Sequence, residues 1–409
     1  MRAPVAGSMT AAGEDGPILR TTPPSVYLDQ WVWVRLAQAA LGKPRESFDT
    51  QVLTAVQEAS AAGVAFPLSS THYFETSQIT DPRQRMDVAR VMASVSLCRT
   101  LRSHAVLLRH QLLHAMHVSF ARPAFRPTAP EPLGVGVAWA FQGERSSMDL
   151  FDASGRVDSS SIPGLRPWLR RVNQLVEFQV LAGPADSEVE ELRRLGYRPE
   201  TVVASDRSRL AWEEFFTDLL KGERMSREEL RVRVQARELV HEYMDVFGKL
   251  LAEYRVDLWR AVGFDPRRPR SGRPGMTAFA DRVPSLRITV DLKVQLFRNP
   301  SKPWKASAIH DIDALSIAVP YCHVVVPDSE MGDLLSRSAA AQRNDTRILR
   351  RLRDLPDALA DLTASAAADR SSAAGAGLLE PGEVFCTDME TLRNTAPHLP
   401  KDWHTAPGP

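Results

Sequence analysis

The sequence predicts an α/β protein, rich in helix, in which a parallel sheet is flanked by helices. Three observations carry that expectation. Short β-branched runs give way repeatedly to apolar residues at three- and four-residue spacing; Gly, Pro, Ser and Thr punctuate the switches; and "CHVVV" has the length and apolarity of a strand buried on both faces.

Order begins at "SVYLDQWVWVRLAQAALGK", where a strand reaches Asp29 and feeds a helix with Trp31, Val34, Leu36 and Leu41 at helical spacing. A second helix, from Phe48 to Ala61, stops at Gly63. "VAFPLSSTHYFETSQI" then repeats the pattern as strand, Ser/Thr cap and helix. Asp81 and Pro82 suit an N-cap and first helical position for a helix carrying Val88, Val91, Met92 and Val95. Between Phe120 and Pro167 the chain turns irregular, with Pro, Gly and Ser clusters, and from Leu169 to Gly263 helical spacing returns. The run "DPRRPRSGRPG" reads as a linker.

"SLRITVDLKVQLF" is ambiguous: Ile288, Val290, Leu292, Val294 and Leu296 alternate like a strand in a helical neighbourhood. The next segment predicts a helix ending near Pro320, the buried strand, and a helix after Asp328. A strand at Arg347 to Leu349 and a helix at Asp357 to Leu362 close the fold. The expected organisation is a leader over 1–24, a discontinuous α/β domain over 25–119 and 285–365, a largely helical insertion over 120–284, and a linker and tail over 366–409.

Composition narrows the function. The 51 Lys and Arg balance 50 Asp and Glu, so no global field advertises a polyanionic partner and any basic surface is local. Cys98, Cys322 and Cys386 form no C-x-x-C pair, which argues against a zinc ribbon or a disulfide framework and for a reducing cytoplasm. No stretch approaches the roughly 18–20 apolar residues of a membrane span, so no membrane partner is expected.

Ligands of open parallel sheets bind beyond the carboxyl ends of the strands. Asp29 follows the first strand, Glu75 lies in the first turns of the helix after the second, and Asp328 sits two residues past "CHVVV". Asp311 and Asp313 come from the helix leading into that strand. Each acid has a plainer explanation, Asp29 and Asp328 as N-caps and Glu75 as a charge at the positive end of a helix dipole; their shared strand-end position is what points to a site. Carboxylates crowded together repel, and a hard cation with oxygen ligands relieves that repulsion. His72, His310 and His323 are expected to pack or hydrogen-bond, and His110, His114 and His117 to line a partly exposed helix face.

The stretches "VYLDQWVW", "THYFETS" and "DALSIAVPYCHVVVPDSE" resemble the acidic motifs of PIN-like domains, a nuclease superfamily. The resemblance covers roughly residues 25–100 and 305–362. It implies Asp29, Glu75, Asp313 and Asp328 as catalytic metal ligands, with Asp311 in reserve, Mg²⁺ or Mn²⁺ as cofactor, and hydrolysis of RNA more than DNA by metal-activated water. The chain departs from the pattern in its long insertion and in His323, where similar proteins often carry an acid.

Basic residues offer a substrate path. Lys302, Trp304 and Lys305 in "SKPWKAS" suit phosphate contact and base stacking, and Arg267, Arg268, Arg270 and Arg273 add a basic loop. Two rivals stand beside the nuclease reading: a catalytically silent PIN-like module binding a protein partner through its insertion, and a small-molecule phosphohydrolase.

Overall fold

The computed structural model describes residues 18, 20–120, 127–148, 150–152, 155–156, 160, 162–299, 302–369 and 385–395. Most of the expected leader and tail lies outside them.

The chain is α/β and mostly helical, built on a three-stranded parallel sheet. Val324–Val326 is the central strand, with Val26–Leu28 on one side and Arg347–Ile348 on the other. Val26, Tyr27 and Leu28 stand opposite Val324, Val325 and Val326, and Val324 and Val325 stand opposite Arg347 and Ile348. Side chains of successive strand residues leave on opposite faces. Here Val26, Leu28, Val324 and Val326 enter one apolar core while Tyr27 and Val325 enter another. Both faces of the first and central strands are dry, which is why those two read as unbroken apolar runs, whereas Arg347 of the edge strand is exposed.

The first core is closed by Gln30–Ala40, Asp49–Ala61, Pro82–Ser96, Leu165–Ala182 and Leu355–Asp369. The second is closed by His104–Ser119, Arg227–His241, Met244–Glu253, Pro284–Phe297, Ala306–Tyr321 and Ser329–Ser336. The segment expected as an insertion thus supplies Leu230, Val234, Phe247 and Phe279 to the same core as Val325 and Ile312.

Local chemistry explains the boundaries. Asp81 caps its helix by accepting from the Arg83 amide at 2.9 Å, with Pro82 in the first turn. Gly63, at φ +99°, ends the reach of Asp49–Ala61 in a conformation that side chains resist. Three expectations change. "VAFPL" is held only by bridges Ser25 to Ala65 and Leu68 to Thr100, because Pro67 has no N–H to extend a ladder. Pro284–Phe297 is a helix, and its alternation misleads because it is buried nearly all round, including Ile288, Thr289, Val290, Asp291 and Leu292. Within the expected tail, Phe385, Cys386 and Leu392 join the first core, and the Cys386 amide donates to Gln174 Oε1 at 2.9 Å. All three cysteines are buried, and no helix among the described residues is long and apolar enough to cross a membrane.

Candidate active site at the carboxyl edge of the sheet

Two strand ends place the first pair of acids. The Asp29 amide donates to Val326 O at 3.1 Å, locking the ends of the first and central strands together. Asp29 Oδ1 accepts from the Gln30 amide at 2.9 Å, and Asp328 Oδ1 accepts from the Met331 amide at 2.6 Å, so each caps the helix that follows. Capping fixes one oxygen of each carboxylate. The Asp328 backbone adds a second hydrogen bond to the Asp29 carboxyl.

A neutral histidine places Glu75. His72 is fully buried; its Nδ1 accepts from the Ser69 amide at 2.9 Å and its Nε2 donates to Leu28 O at 2.9 Å. An amide donor on one nitrogen and a carbonyl acceptor on the other require the neutral Nε2–H form, and burial pushes the imidazole pKa down to about 4. The bond to Leu28 pins the Ser70–Ser77 helix against the first strand, with Glu75 one turn beyond His72. His72 thus has the packing and hydrogen-bonding role expected of it.

Asp311, from the second turn of Ala306–Tyr321, completes the group. Burial pushes its carboxyl up to about 9, and the neighbouring charges that add to the shift are Asp29, Asp328, Glu75 and Glu330. Burial likewise raises Glu75 to about 8, with Asp29 as the added charge. Asp29 is raised to about 6 by burial, opposed by the Gln30 amide and raised further by Asp328. Asp29, Glu75, Asp311 and Asp328 therefore share one electrostatic neighbourhood. The like charges acting on them are carboxylates, which is an arrangement that favours uptake of protons or of a cation.

Asp313 does not join them, which corrects its expected role as a ligand. Its two oxygens accept from Arg209 Nη1 and Nη2 at 2.6 and 2.9 Å. Burial opposes its charge, but the Arg209 hydrogen bonds outweigh that and hold its carboxyl below the usual range. The reason is helical phase: residues two apart point to opposite sides of a helix. Asp311 faces the sheet edge, whereas His310, Asp313, Ala314 and Ile317 form a stripe lining a separate cavity of about 600 Å³. There His310 Nε2 meets Asp206 at 2.9 Å, and Arg209 also approaches Glu242.

The expected substrate residues divide. Trp304 is 9% exposed, its indole N–H donates to Thr217 Oγ1 at 3.0 Å, and its ring packs 4.9 Å from Phe297. It is a core side chain, which corrects its expected stacking role: a large apolar ring with a buried partner for its N–H gains more inside than on a rim. Lys302 is exposed and paired with Glu330, and Lys305 is exposed. Both line a cavity of about 130 Å³ with Asp311, Asp328 and Glu330. A narrower crevice lined by Tyr27, Asp29, Asp311 and Asp328 adjoins it. Glu330 is the acid that sequence reasoning used only as a helix marker; its place two residues after Asp328, in the first turn of the helix, was the available signal. Arg273, from the basic loop, pairs with Glu229.

The donor set is all carboxylate, which suits a hard cation that keeps part of its water shell. Among the described residues no three His, Cys, Asp or Glu side chains close into a metal-holding set. These acids form no dry cage; an ion here would rest on one or two of the carboxylates and keep most of its water. Compared with protein-family models, with curated proteins and with solved structures, the chain matches none.

Proposed function

We propose that the chain is a metal-dependent phosphodiesterase of the PIN-like nuclease type, acting on RNA in preference to DNA in the cytoplasm, with Mg²⁺ or Mn²⁺ held at Asp29, Asp328, Asp311 and Glu75. The observation that carries this reading is the convergence of those four acids, from four separate stretches of chain, at the carboxyl edge of the sheet. When bound, the ion would supply a water of lowered pKa and charge stabilisation at the phosphodiester. The residues of the chain do the rest. Asp29 and Asp328 are the rigid pair, because each is already fixed by its helix cap and by the tie between strand ends. Asp311 and Glu75, whose carboxyls titrate near 9 and 8 without a cation, hold protons until one arrives and are suited to orient water. Lys305 at the cavity rim is the side chain best placed for a substrate phosphate, with Lys302 moderated by Glu330.

Cleavage of end-labelled RNA and single-stranded DNA in Mn²⁺ tests the reading. Asp29→Asn and Asp328→Asn, which keep an oxygen for the helix cap, are expected to lose activity by about 100-fold or more at unchanged thermal stability. Unchanged cleavage in both variants, or no cleavage of either substrate by the native chain in Mg²⁺ or Mn²⁺, overturns it.

A further inference from the structure

A second cavity, of about 320 Å³, lies away from the acidic edge and has the opposite charge. Arg20, Arg282, Arg287 and Arg343 line it against Asp281 and Asp345, an excess of two positive charges before any histidine is counted. Widening the boundary keeps that excess: Arg231, beside Arg287, adds one cation, and Asp291, which Arg231 and Arg343 share, adds one anion. The surplus falls on Arg282 and Arg287. Arg282 donates through Nη1 to Ala278 O at 2.9 Å, a neutral acceptor. Arg287 Nε is buried with no hydrogen-bond partner among the described residues, and Nη1 reaches Asp281 O only at 3.5 Å.

The walls make this a pocket rather than a basic stripe. His104–Ser119 contributes His110, Gln111 and His114; Pro284–Phe297 contributes Pro284 and Arg287 from its first turn; Pro320 closes one end. The first turn of that 14-residue helix adds its own partial positive charge. Burial pushes the half-buried Arg287 guanidinium below its usual range and the Arg343 charge pushes it further, while Asp281 and Asp291 act the other way without pairing with it.

We propose that this cavity binds a small phosphate-bearing anion, with Arg287 and Arg282 as the principal donors. Phosphate is the class that fits, because guanidinium forks present paired N–H groups to tetrahedral oxyanions and one ligand can engage both arginines. A pocket of about 320 Å³ between helices suits a small phosphate compound better than the backbone of a nucleic acid, which needs a long track. One helix, Ala306–Tyr321, passes both places, with Asp311 in its second turn and Pro320 in its last.

Calorimetric titration of the full chain in metal-depleted, phosphate-free buffer tests this independently of the acidic edge, with inorganic pyrophosphate in one arm and adenosine 5′-monophosphate in the other. One saturable site per chain is expected in at least one arm, and the tighter arm tells an inorganic ligand from a phosphate ester. Arg287→Gln and Arg282→Gln should each weaken it roughly tenfold or more, the value of one charge-assisted hydrogen bond, while Arg267→Gln leaves it unchanged. Absence of saturable heat in both arms up to about 10 mM ligand overturns the proposal. So does unaltered affinity in folded Arg282→Gln and Arg287→Gln proteins, or displacement of both ligands by a 20-nucleotide RNA with equal loss in Arg267→Gln.

Discussion

Two groups of acids differ in what answers their charge: Glu213 and Glu238 are fully buried among cations, whereas Asp29, Glu75 and Asp311 are partly buried among other carboxylates. In the helical region Lys293 Nζ meets Glu213 at 2.6 Å and Glu238 at 2.9 Å, and Arg237 meets the same two carboxylates at 2.9 and 2.8 Å. Two cations answer two anions with almost no solvent contact. Burial opposes the charge on Lys293, yet Glu238 and Glu213 outweigh it and hold its ammonium above the usual lysine range. Burial pushes the Glu238 carboxyl up as well, with Lys293 and Arg237 opposing; at the sheet edge burial raises Asp29, Glu75 and Asp311, and the neighbouring charges that act on them are carboxylates. The difference teaches how to tell a structural acid from a functional one: the former carries its counter-charge within the fold, and the latter leaves room for one from outside.

The comparison breaks most visibly at the paired end. Lys293→Met keeps the stem volume but strands Glu213 and Glu238 together in a dry interior, so it should cost about 3–5 kcal/mol, read as a fall in the denaturation midpoint. A loss under about 1 kcal/mol would mean that water reaches the pair and that the network is not structural.

Asp311 and Asp313 sharpen the contrast within two turns of one helix. Asp313→Asn removes the charge that Arg209 grips in a half-buried setting and should destabilise by about 1–3 kcal/mol, with metal-dependent cleavage reduced no further than stability requires. Asp311→Asn should do the reverse, leaving the metal-free protein as stable or slightly more stable while cleavage falls about tenfold or more. Matching melting and activity curves for the two variants would erase the distinction.

The smallest expected effect is a pH dependence. Glu75 and Asp311 titrate near 8 and 9 when folded, far above their ordinary values, while His72, His104, His110 and His323 act the other way below about pH 7; between about pH 7 and 9 the two acids make the folded state bind more protons than the unfolded chain. Stability of the metal-depleted protein should therefore fall as pH rises through that window. Added Mg²⁺ or Mn²⁺ should flatten the decline at its alkaline end. Thermal melts at about pH 7 and 9, with and without the ion, measure it; a metal-free slope of the opposite sign contradicts the uncompensated state of these acids.

Much of this was legible along the chain. The strand ends at Asp29 and Asp328 were visible because apolar runs stop abruptly at an acid that then caps a helix, and both the strand and the cap leave local marks. Glu75 was visible as an acid in a helix announced by the Ser and Thr that start it. The choice between Asp311 and Asp313 was not, since it turns on the phase of a helix against neighbours and on Arg209, 104 residues away from Asp313. Trp304 was misread as a stacking residue because a polar, proline-flanked sequence looks like a surface loop, and only packing brings Thr217 and Phe297 to it.

The sequence by itself determined the α/β alternation, the parallel sheet and the residues at its carboxyl edge, because strand length, caps and breakers act over a few residues and need no distant partner. Tertiary structure decided which acids stay unpaired, whether "SLRITVDLKVQLF" is strand or helix, and where positive charge collects around Arg287. Those outcomes depend on which remote side chains arrive within a few ångströms, and charge compensation in a dry interior is settled only at that range.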